Sequence, residues 1–280
     1  MGARFTRTIP TLALCAAVTA SSLAFSIAPS GAEEAMRTHR TVFDVRFGAI
    51  PIGEAKFEIK FDEESYELGA SGKTVGVAEM VAKGSGEAKS QGRIEDGQLV
   101  AEKHTVKYVE KSKVSTLEME FDEGAVKEVK LNPDKRKKKN GSKWVQITEE
   151  QLRAVLDPAS SIIIPVEWEK ANNPRAVCDR TLPVYDGDTR FNIKLSYKST
   201  KPIKTKGYKG YAYVCQLRYV PVAGHKKGER NIEYMSRNKD MELWLAPMAK
   251  TNLYTPIRIE VPTWIGTFSA QPSYFGVVAQ

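Results

Sequence analysis

The sequence predicts an all-β protein: a curved or spiralled antiparallel sheet, open and barrel-like. Three observations predict it. Apolar and polar residues alternate with a period of two in run after run, as where Phe191, Ile193, Leu195 and Tyr197 interleave with Asn192, Lys194 and Ser196. Turn clusters such as Asp62-Glu63-Glu64-Ser65, Glu95-Asp96-Gly97 and Asp122-Glu123-Gly124 separate the runs. A helical pattern occurs once, near residues 149–156. The 280 residues are 41% hydrophobic and include 11 Tyr, 10 Phe and 4 Trp, which is enough apolar material for a sizeable core. That length suits a single all-β domain.

The N-terminus is read apart from the fold. Arg4 and Arg7 precede an uncharged apolar stretch from Ile9 to Phe25, and Ser30-Gly31-Ala32 follows just ahead of Glu33-Glu34. A positive end, an apolar middle and small residues at the cleavage positions describe a secretory leader over 1–32, leaving one β-rich domain over 33–280. An uncleaved anchor is disfavoured because the apolar stretch is short and rich in Ala, Ser and Thr. Lipidation at Cys15 is disfavoured because bulky Leu14 precedes it. No later apolar run approaches the roughly 18 residues that a membrane-spanning helix needs. Removing the leader changes the charge from 42 − 34 = +8 to (42 − 2) − 34 = +6 and leaves two of the three cysteines, Cys178 and Cys215. An even pair in an exported protein reads as a disulfide, closing a loop of 215 − 178 + 1 = 38 residues. The competing metal or redox pair lacks a CxxC spacing and nearby histidines.

Along the mature chain, strands are expected over 41–47 and 52–61, joined at Gly48-Ala49-Ile50-Pro51. A glycine-rich stretch from Gly69 to Gly92 is read either as tight strand curvature or as a ligand-lining surface. The clearest hairpin sets Leu117, Met119 and Phe121 against Val129 and Leu131 across Asp122-Glu123-Gly124. Thr148 and Gln151 form a capping box for the helix near 149–156, whose Leu152, Val155 and Leu156 share one face before Asp157-Pro158 ends it. Farther on, Tyr211, Tyr213, Cys215, Leu217 and Tyr219 share a strand face, Met241, Leu243 and Leu245 form another strand, and Ile257, Ile259 and Val261 another.

Motifs for chemistry fail one after another. Gly69-Ala70-Ser71-Gly72-Lys73-Thr74 ends like a phosphate loop, but Glu67 stands where its first glycine belongs. There is no Gly-x-Ser-x-Gly elbow. His39, His104 and His225 are dispersed, and each is read as solvated or structurally satisfied, His39 within a loosely ordered mature start. Asp186-Gly187-Asp188 lacks the other oxygen ligands of a calcium loop. The expectation is therefore no catalytic residue, no metal and no cofactor. The run Lys135-Arg136-Lys137-Lys138-Lys139 would suggest nucleic acid inside a cell, but export replaces that partner with anionic headgroups. Its competing reading is a solvated loop. Tyr211, Tyr213 and Tyr219, with the glycine-rich stretch, are candidate ligand-lining residues, and their competing reading is core.

One resemblance gathers these segments. Cys178-Asp179-Arg180, Val184-Tyr185-Asp186-Gly187, Tyr213-Val214-Cys215, Tyr219-Val220-Pro221-Val222-Ala223-Gly224, Leu243-Trp244-Leu245-Ala246-Pro247 and Tyr254-Thr255-Pro256-Ile257-Arg258-Ile259 stand in an order that resembles the bacterial family called domain of unknown function 3108. Ile52-Gly53-Glu54-Ala55 and Asp157-Pro158-Ala159-Ser160-Ser161 look like its other landmarks. The resemblance implies an exported, periplasmic, β-rich protein of Gram-negative bacteria with its two cysteines paired, and it implies no activity. The expected role is non-enzymatic support of the cell envelope by binding a lipid, a lipoprotein or an envelope protein. The alternatives are a hydrolase of envelope glycans and a scaffold touching an anionic membrane surface.

Overall fold

Turn chemistry sets the hairpins. Asp96 and Gly97 take φ of 49° and 69°, and Glu123 and Gly124 take 47° and 72°. Such paired positive φ values match the right-handed twist of flanking strands and close two-residue hairpins. The computed structural model describes residues 36–81, 83–134, 141–249 and 251–278. The expected leader and the run from Lys135 to Lys139 lie outside these residues.

Seven strands follow one another as hairpins: β1 (Arg37–Phe47), β2 (Ile50–Phe61), β3 (Ser65–Thr74), β4 (Gly84–Glu95), β5 (Gln98–Glu110), β6 (Lys113–Asp122) and β7 (Ala125–Asn132). A short helix, α1 (Ala78–Val81), joins β3 to β4. After β8 (Ile164–Pro165) and α2 (Pro174–Cys178) come β9 (Arg180–Tyr185), β10 (Arg190–Thr205), β11 (Tyr208–Ala223), α3 (Arg230–Arg237), β12 (Met241–Pro247), β13 (Leu253–Thr263) and β14 (Gly266–Val277). The strands form a single sheet in the order β7-β6-β5-β4-β3-β2-β1-β14-β13-β12-β11-β10-β9, with β8 paired to β13 beside that path. Two meanders thus meet where the first strand pairs antiparallel with the last, Thr41 opposite Phe275. The hairpin read from the sequence has the expected register, with Leu117 opposite Leu131 and Met119 opposite Val129.

The sheet curls without closing. Tyr185 at the end of β9 packs with Ala101, Met119 and Phe121 of β5 and β6, which lie near the opposite edge. Between the two edges runs the segment 144–166. Val155 N–H donates to Gly124 O (3.1 Å), Leu156 N–H to Pro183 O (2.9 Å), and Leu156 O accepts from Tyr185 N–H (2.9 Å). These bonds revise the helix expected near 149–156. Half of its capping box forms, with Thr148 N–H donating to Gln151 Oε1 (3.1 Å), but only Glu150–Leu152 complete a 3-10 turn. Ala154 then takes φ 48° and the chain extends, because the two sheet edges supply backbone partners that a helix would forgo. Val155 and Leu156 still bury against the sheet, as extended chain. Among the described residues the longest helix is α3 instead, which the reading of the sequence does not anticipate.

β12 and the middle of β11 are buried on both faces. Cys215, Leu243 and Leu245 join Val177, Cys178 and Leu195 on one side. Val214, Trp244 and Ala246 join Ile257 and Phe275 on the other. The second core exists because the tip of the long β10–β11 hairpin bends back to β14, where Phe275 N–H donates to Lys206 O (3.0 Å). Gly207 at that tip has φ +87°, and a Cβ there would sit 2.6 Å from Phe275 O, so only glycine fits. His39 belongs to this core. Contrary to a loosely ordered start, it is fully buried in β1, its ring edge-on to Phe275 at 4.4 Å and its Nε2 3.3 Å from Thr41 Oγ1.

The disulfide is formed, Cys178 to Cys215 with Cα atoms 5.4 Å apart and a sequence separation of 37. It ties α2 to the buried face of β11. Replacing both cysteines with serine is expected to lower the unfolding free energy by about 2–4 kcal/mol in a urea titration, as loss of a loop constraint of this size predicts. Burial pushes the His39 pKa from 6.5 down to about 4. The unfolded chain therefore takes up a proton that the folded chain refuses between those values, and stability falls as pH drops through that window, by about 1.4 kcal/mol per unit. Unfolding titrations between pH 7 and 4 should show this slope, and His39→Leu should flatten it.

Candidate functional site

Cross-strand register places the side chains of β1 to β7 in rows. One row on the core-facing side reads Ile59, Leu68, Ser90, His104, Met119. A second reads Thr41, Phe57, Ala70, Ala88, Val106, Leu117, and a third Phe43, Ala55, Gly72, Gly86, Tyr108. The crossing segment covers the first row. There Asp157 descends onto Ser90 and His104 and makes a buried polar cluster.

The cluster is built by local chain chemistry and completed by tertiary contact. Asp157 Oδ1 accepts from the N–H groups of Ala159 and Ser160, both at 2.9 Å, the pattern of an Asx turn heading the 3-10 turn Ser160–Ile162. Its Oδ2 accepts from Ser160 Oγ at 2.5 Å. Ser90 Oγ donates to Asp157 Oδ1 (2.8 Å), and His104 Nδ1 lies 3.0 Å from the same oxygen and 2.8 Å from Ser90 Oγ. Tyr66 O–H donates to Ser160 Oγ (2.8 Å). Since Ser90 has given its one proton to Asp157, it accepts from His104, which places the imidazole proton on Nδ1. Burial pushes the Asp157 carboxyl up, but His104 and the donors from Ser160 outweigh it and hold the pKa below the ordinary carboxylate value. The carboxylate is ionised and enclosed.

Serine, histidine and aspartate together invite comparison with a nucleophilic triad. The geometry differs. A relay needs serine and aspartate on opposite ring nitrogens, whereas Ser90 and Asp157 share Nδ1 of His104. The hydroxyl of Ser90 is buried and committed to a carboxylate, so the cluster is suited to holding the crossing segment on the sheet. The sequence reading took Asp157-Pro158 as a helix stop. The Asp-x-x-Ser spacing of Asp157 and Ser160 was the available sign of a turn that caps itself, but nothing in sequence pairs it with Ser90 or His104.

The second and third rows are not sealed by the crossing segment. Phe57, Ala70, Ala88 and Val106 are half-buried, and a Cβ built on Gly72 would meet nothing closer than Glu54 O at 3.5 Å. Gly84, Gly86 and Gly92 sit under the protein's own rings. A Cβ on Gly92 would lie 2.8 Å from Tyr66 Oη, and one on Gly84 2.7 Å from Tyr108 Oη. The phosphate-loop lookalike from Gly69 to Thr74 is part of β3. The outer face is a lattice of opposite charges across strands, including Arg40–Glu58 (2.6 Å), Lys73–Glu54 (3.1 Å) and Lys103–Glu118 (2.8 Å), all well exposed to water. Such pairs contribute little to stability.

The three tyrosines go separate ways. Tyr213 stacks on Tyr254 at 5.7 Å and donates its hydroxyl to Asn172 O (3.3 Å). Tyr219 lies 5.2 Å from Phe191, and Tyr211 is largely exposed. Five strands separate them from the glycine-rich stretch in sheet order. Among the described residues no group of three or more His, Cys, Asp or Glu side chains is placed to hold a metal ion, and no helix is long and apolar enough to cross a membrane.

A family model described as a protein of unknown function, DUF3108, matches residues 42–271. Among solved structures, the chain is similar to a β-barrel-like protein of domain of unknown function DUF1849 from Brucella abortus, at 8% identity and a TM-score of 0.46, covering 87% of this chain and 99% of that one. No curated protein matches.

Because Asp157 is a buried charge with several donors aimed at it, Asp157→Asn should cost about 3 kcal/mol in urea unfolding, and Ser90→Ala about 1 kcal/mol. The pH dependence has a definite sign. A carboxylate held below its unfolded value stabilises the fold above that value, so this contribution is lost as pH falls below about 4. That limb should be present in the wild type and reduced in Asp157→Asn.

Proposed function

The chain belongs to the DUF3108 family, and from that premise we propose that it is a non-enzymatic periplasmic protein supporting the cell envelope, which takes an acyl chain of a lipid or lipoprotein on the uncovered part of its core-facing sheet surface. The observation that carries the reading is the contrast between the rows. The crossing segment seals the row holding Ser90 and His104 and leaves the neighbouring rows half-open. Phe57, Ala70, Ala88 and Val106 there are apolar, while Ala55 and Gly72 are small enough to leave room against the backbone. A surface without charge or fixed hydrogen-bond partners suits a flexible hydrocarbon, whose binding grows with the apolar area removed from water. The arrangement of Ser90, His104 and Asp157 supports a role other than catalysis. Export is supported by the sequence of 1–32 and by the disulfide, which is a bond typical of oxidising compartments.

Lipid extraction of the purified protein with mass spectrometry, and titration with the fluorescent fatty acid cis-parinaric acid, test this. The wild type is expected to carry or take up acyl chains. Gly72→Val adds bulk where there is space, so it should melt close to the wild-type temperature and bind the probe at least about tenfold more weakly, the effect of roughly 1.4 kcal/mol. A folded Gly72→Val that binds as the wild type does, or a wild type that is empty and ignores the probe, would refute the proposal.

A further inference from the structure

We propose that one rim of the sheet docks on a phospholipid bilayer with anionic headgroups. The inference is independent of the acyl-binding reading and rests on other residues. Five connections, consecutive along the sheet from β6 to β11, lie at the same end of the strands: residues 111–112, 75–83, 48–49, 264–265 and 224–240. Apolar side chains stand out into solvent along them. Met80 is 86% exposed, Trp264 78%, Val77 59% and Ile265 58%, with Ile50 beside the β1–β2 turn. Within the same span, the three connections at the other end, 62–64, 96–97 and 248–252, include no exposed large hydrophobic among their described residues. A soluble protein normally scatters such residues singly, so their collection on one rim indicates a surface that is covered in use.

The exposure is built in. Trp264 and Ile265 form the two-residue turn of the β13–β14 hairpin, which is fixed from behind by Thr263 Oγ1 donating to Gly266 O (2.6 Å). Gly48 N–H donates to Thr267 O (2.8 Å), and Phe47 packs on Phe268 at 4.8 Å. The pair cannot fold inward without breaking these contacts.

Shape and charge select the partner. The apolar groups are tips on separate turns, which a fluid surface can close around and which a rigid protein partner would have to match one by one. Tryptophan is favoured at the level of lipid headgroups, where its ring is partly apolar and its N–H stays wet. The five connections carry seven Lys and Arg against four Asp and Glu, 7 − 4 = +3, whereas the sequence of the three opposite connections carries one Lys against four acids, 1 − 4 = −3. Anionic headgroups would attract the first end and repel the second, so the strands would stand with the apolar rim downward. Beside Trp264, a hollow of about 1180 Å³ is lined by α3, including Arg230 and Arg237 with Glu229 and Glu233, and offers room for headgroups. The turn between β9 and β10, with Asp186 and Asp188, lies beyond this span at the sheet edge.

Flotation with vesicles tests the proposal, comparing wild type and variants that share the same N-terminus. Wild-type protein should float with phosphatidylethanolamine vesicles containing phosphatidylglycerol and much less with pure phosphatidylcholine. Brominated acyl chains should quench its tryptophan fluorescence, and most of that quenching should vanish in Trp264→Phe. The double variant Trp264→Ser, Ile265→Ser should keep its melting temperature and lose at least about tenfold in partitioning, since two large apolar side chains no longer insert. Lys226→Glu with Lys227→Glu should bring binding to phosphatidylglycerol vesicles down to the phosphatidylcholine level. Gly72→Val should float like the wild type, which separates this surface from the inner one. A wild type that does not float, a folded serine double variant that floats equally well, or undiminished quenching in Trp264→Phe overturns the proposal.

Discussion

The pairing of the first strand with the last holds this architecture together. Every other ladder along the sheet path joins strands that are neighbours in sequence, so each can form as a local hairpin. Only β1 against β14 joins the two meanders, Val42 opposite Tyr274 and Asp44 opposite Gln271. That contact spans nearly the whole described chain and offers its stabilisation only after a large loop entropy has been paid. Several features reinforce it. His39 and Thr41 of β1 bury with Phe275 of β14, and the β10–β11 tip adds a further backbone bond to Phe275. The N-terminal strand is therefore part of the core, and an unpaired histidine nitrogen is tolerated there because burial keeps the ring neutral.

Curling brings two distant sheet edges near each other and creates a second problem, the exposed backbone groups along them. Closing a barrel by direct pairing would remove the edges. Here the segment 144–166 serves in place of direct pairing, with Val155 bonded to the β6–β7 turn and Leu156 to β9. A crossing segment whose only ladder is the two-residue β8 at its end needs its own polar anchor. Asp157 provides it, since its carboxylate satisfies two backbone N–H groups of its own turn and reaches Ser90 and His104 on the sheet. A neutral residue could not attract the same set of donors, and a charge without them could not be buried. The Asp157-Pro158-Ala159-Ser160-Ser161 segment thus has a structural reason for its composition.

How much of this was legible in sequence depends on how far each feature reaches along the chain. Hairpins were legible because alternation and turn residues are local, although the pairing of Leu117 with Leu131 and Met119 with Val129 needs, besides the two-residue turn, a bulge between Val126 and Glu128 that shifts the register by one. The disulfide was expected from the export reading of 1–32 and the even count of the remaining cysteines. The helix near 149–156 was misread because Leu152, Val155 and Leu156 have helical spacing, whereas the decision belonged to Gly124 O and Pro183 O, which lie elsewhere in the chain. His39 looked like part of a loose beginning because the strand that buries it is more than two hundred residues away. The polar cluster joins residues from β4, β5 and the crossing segment, and Ser90 and Asp157 are 67 positions apart, beyond the reach of any periodicity.

The rim and the inner face are consequences of the same meander. In a sheet of successive hairpins every second connection emerges at the same end, so one end can be made apolar and basic and the other acidic without any change to the strands between. The core-facing rows differ in how much packing they carry: Asp157 secures the first, and the neighbouring rows are buried at Thr41 and Phe43 but half-open from Ala70 to Val106. Glycine at positions 72 and 86 is costly for a strand, since glycine loses more conformational entropy there. Gly84 and Gly86 are explained by Tyr108 lying over them, and Gly92 by the Val100 carbonyl and the Tyr66 ring. Gly72 has no ring above it, and that open position is where the proposed acyl chain would approach the sheet.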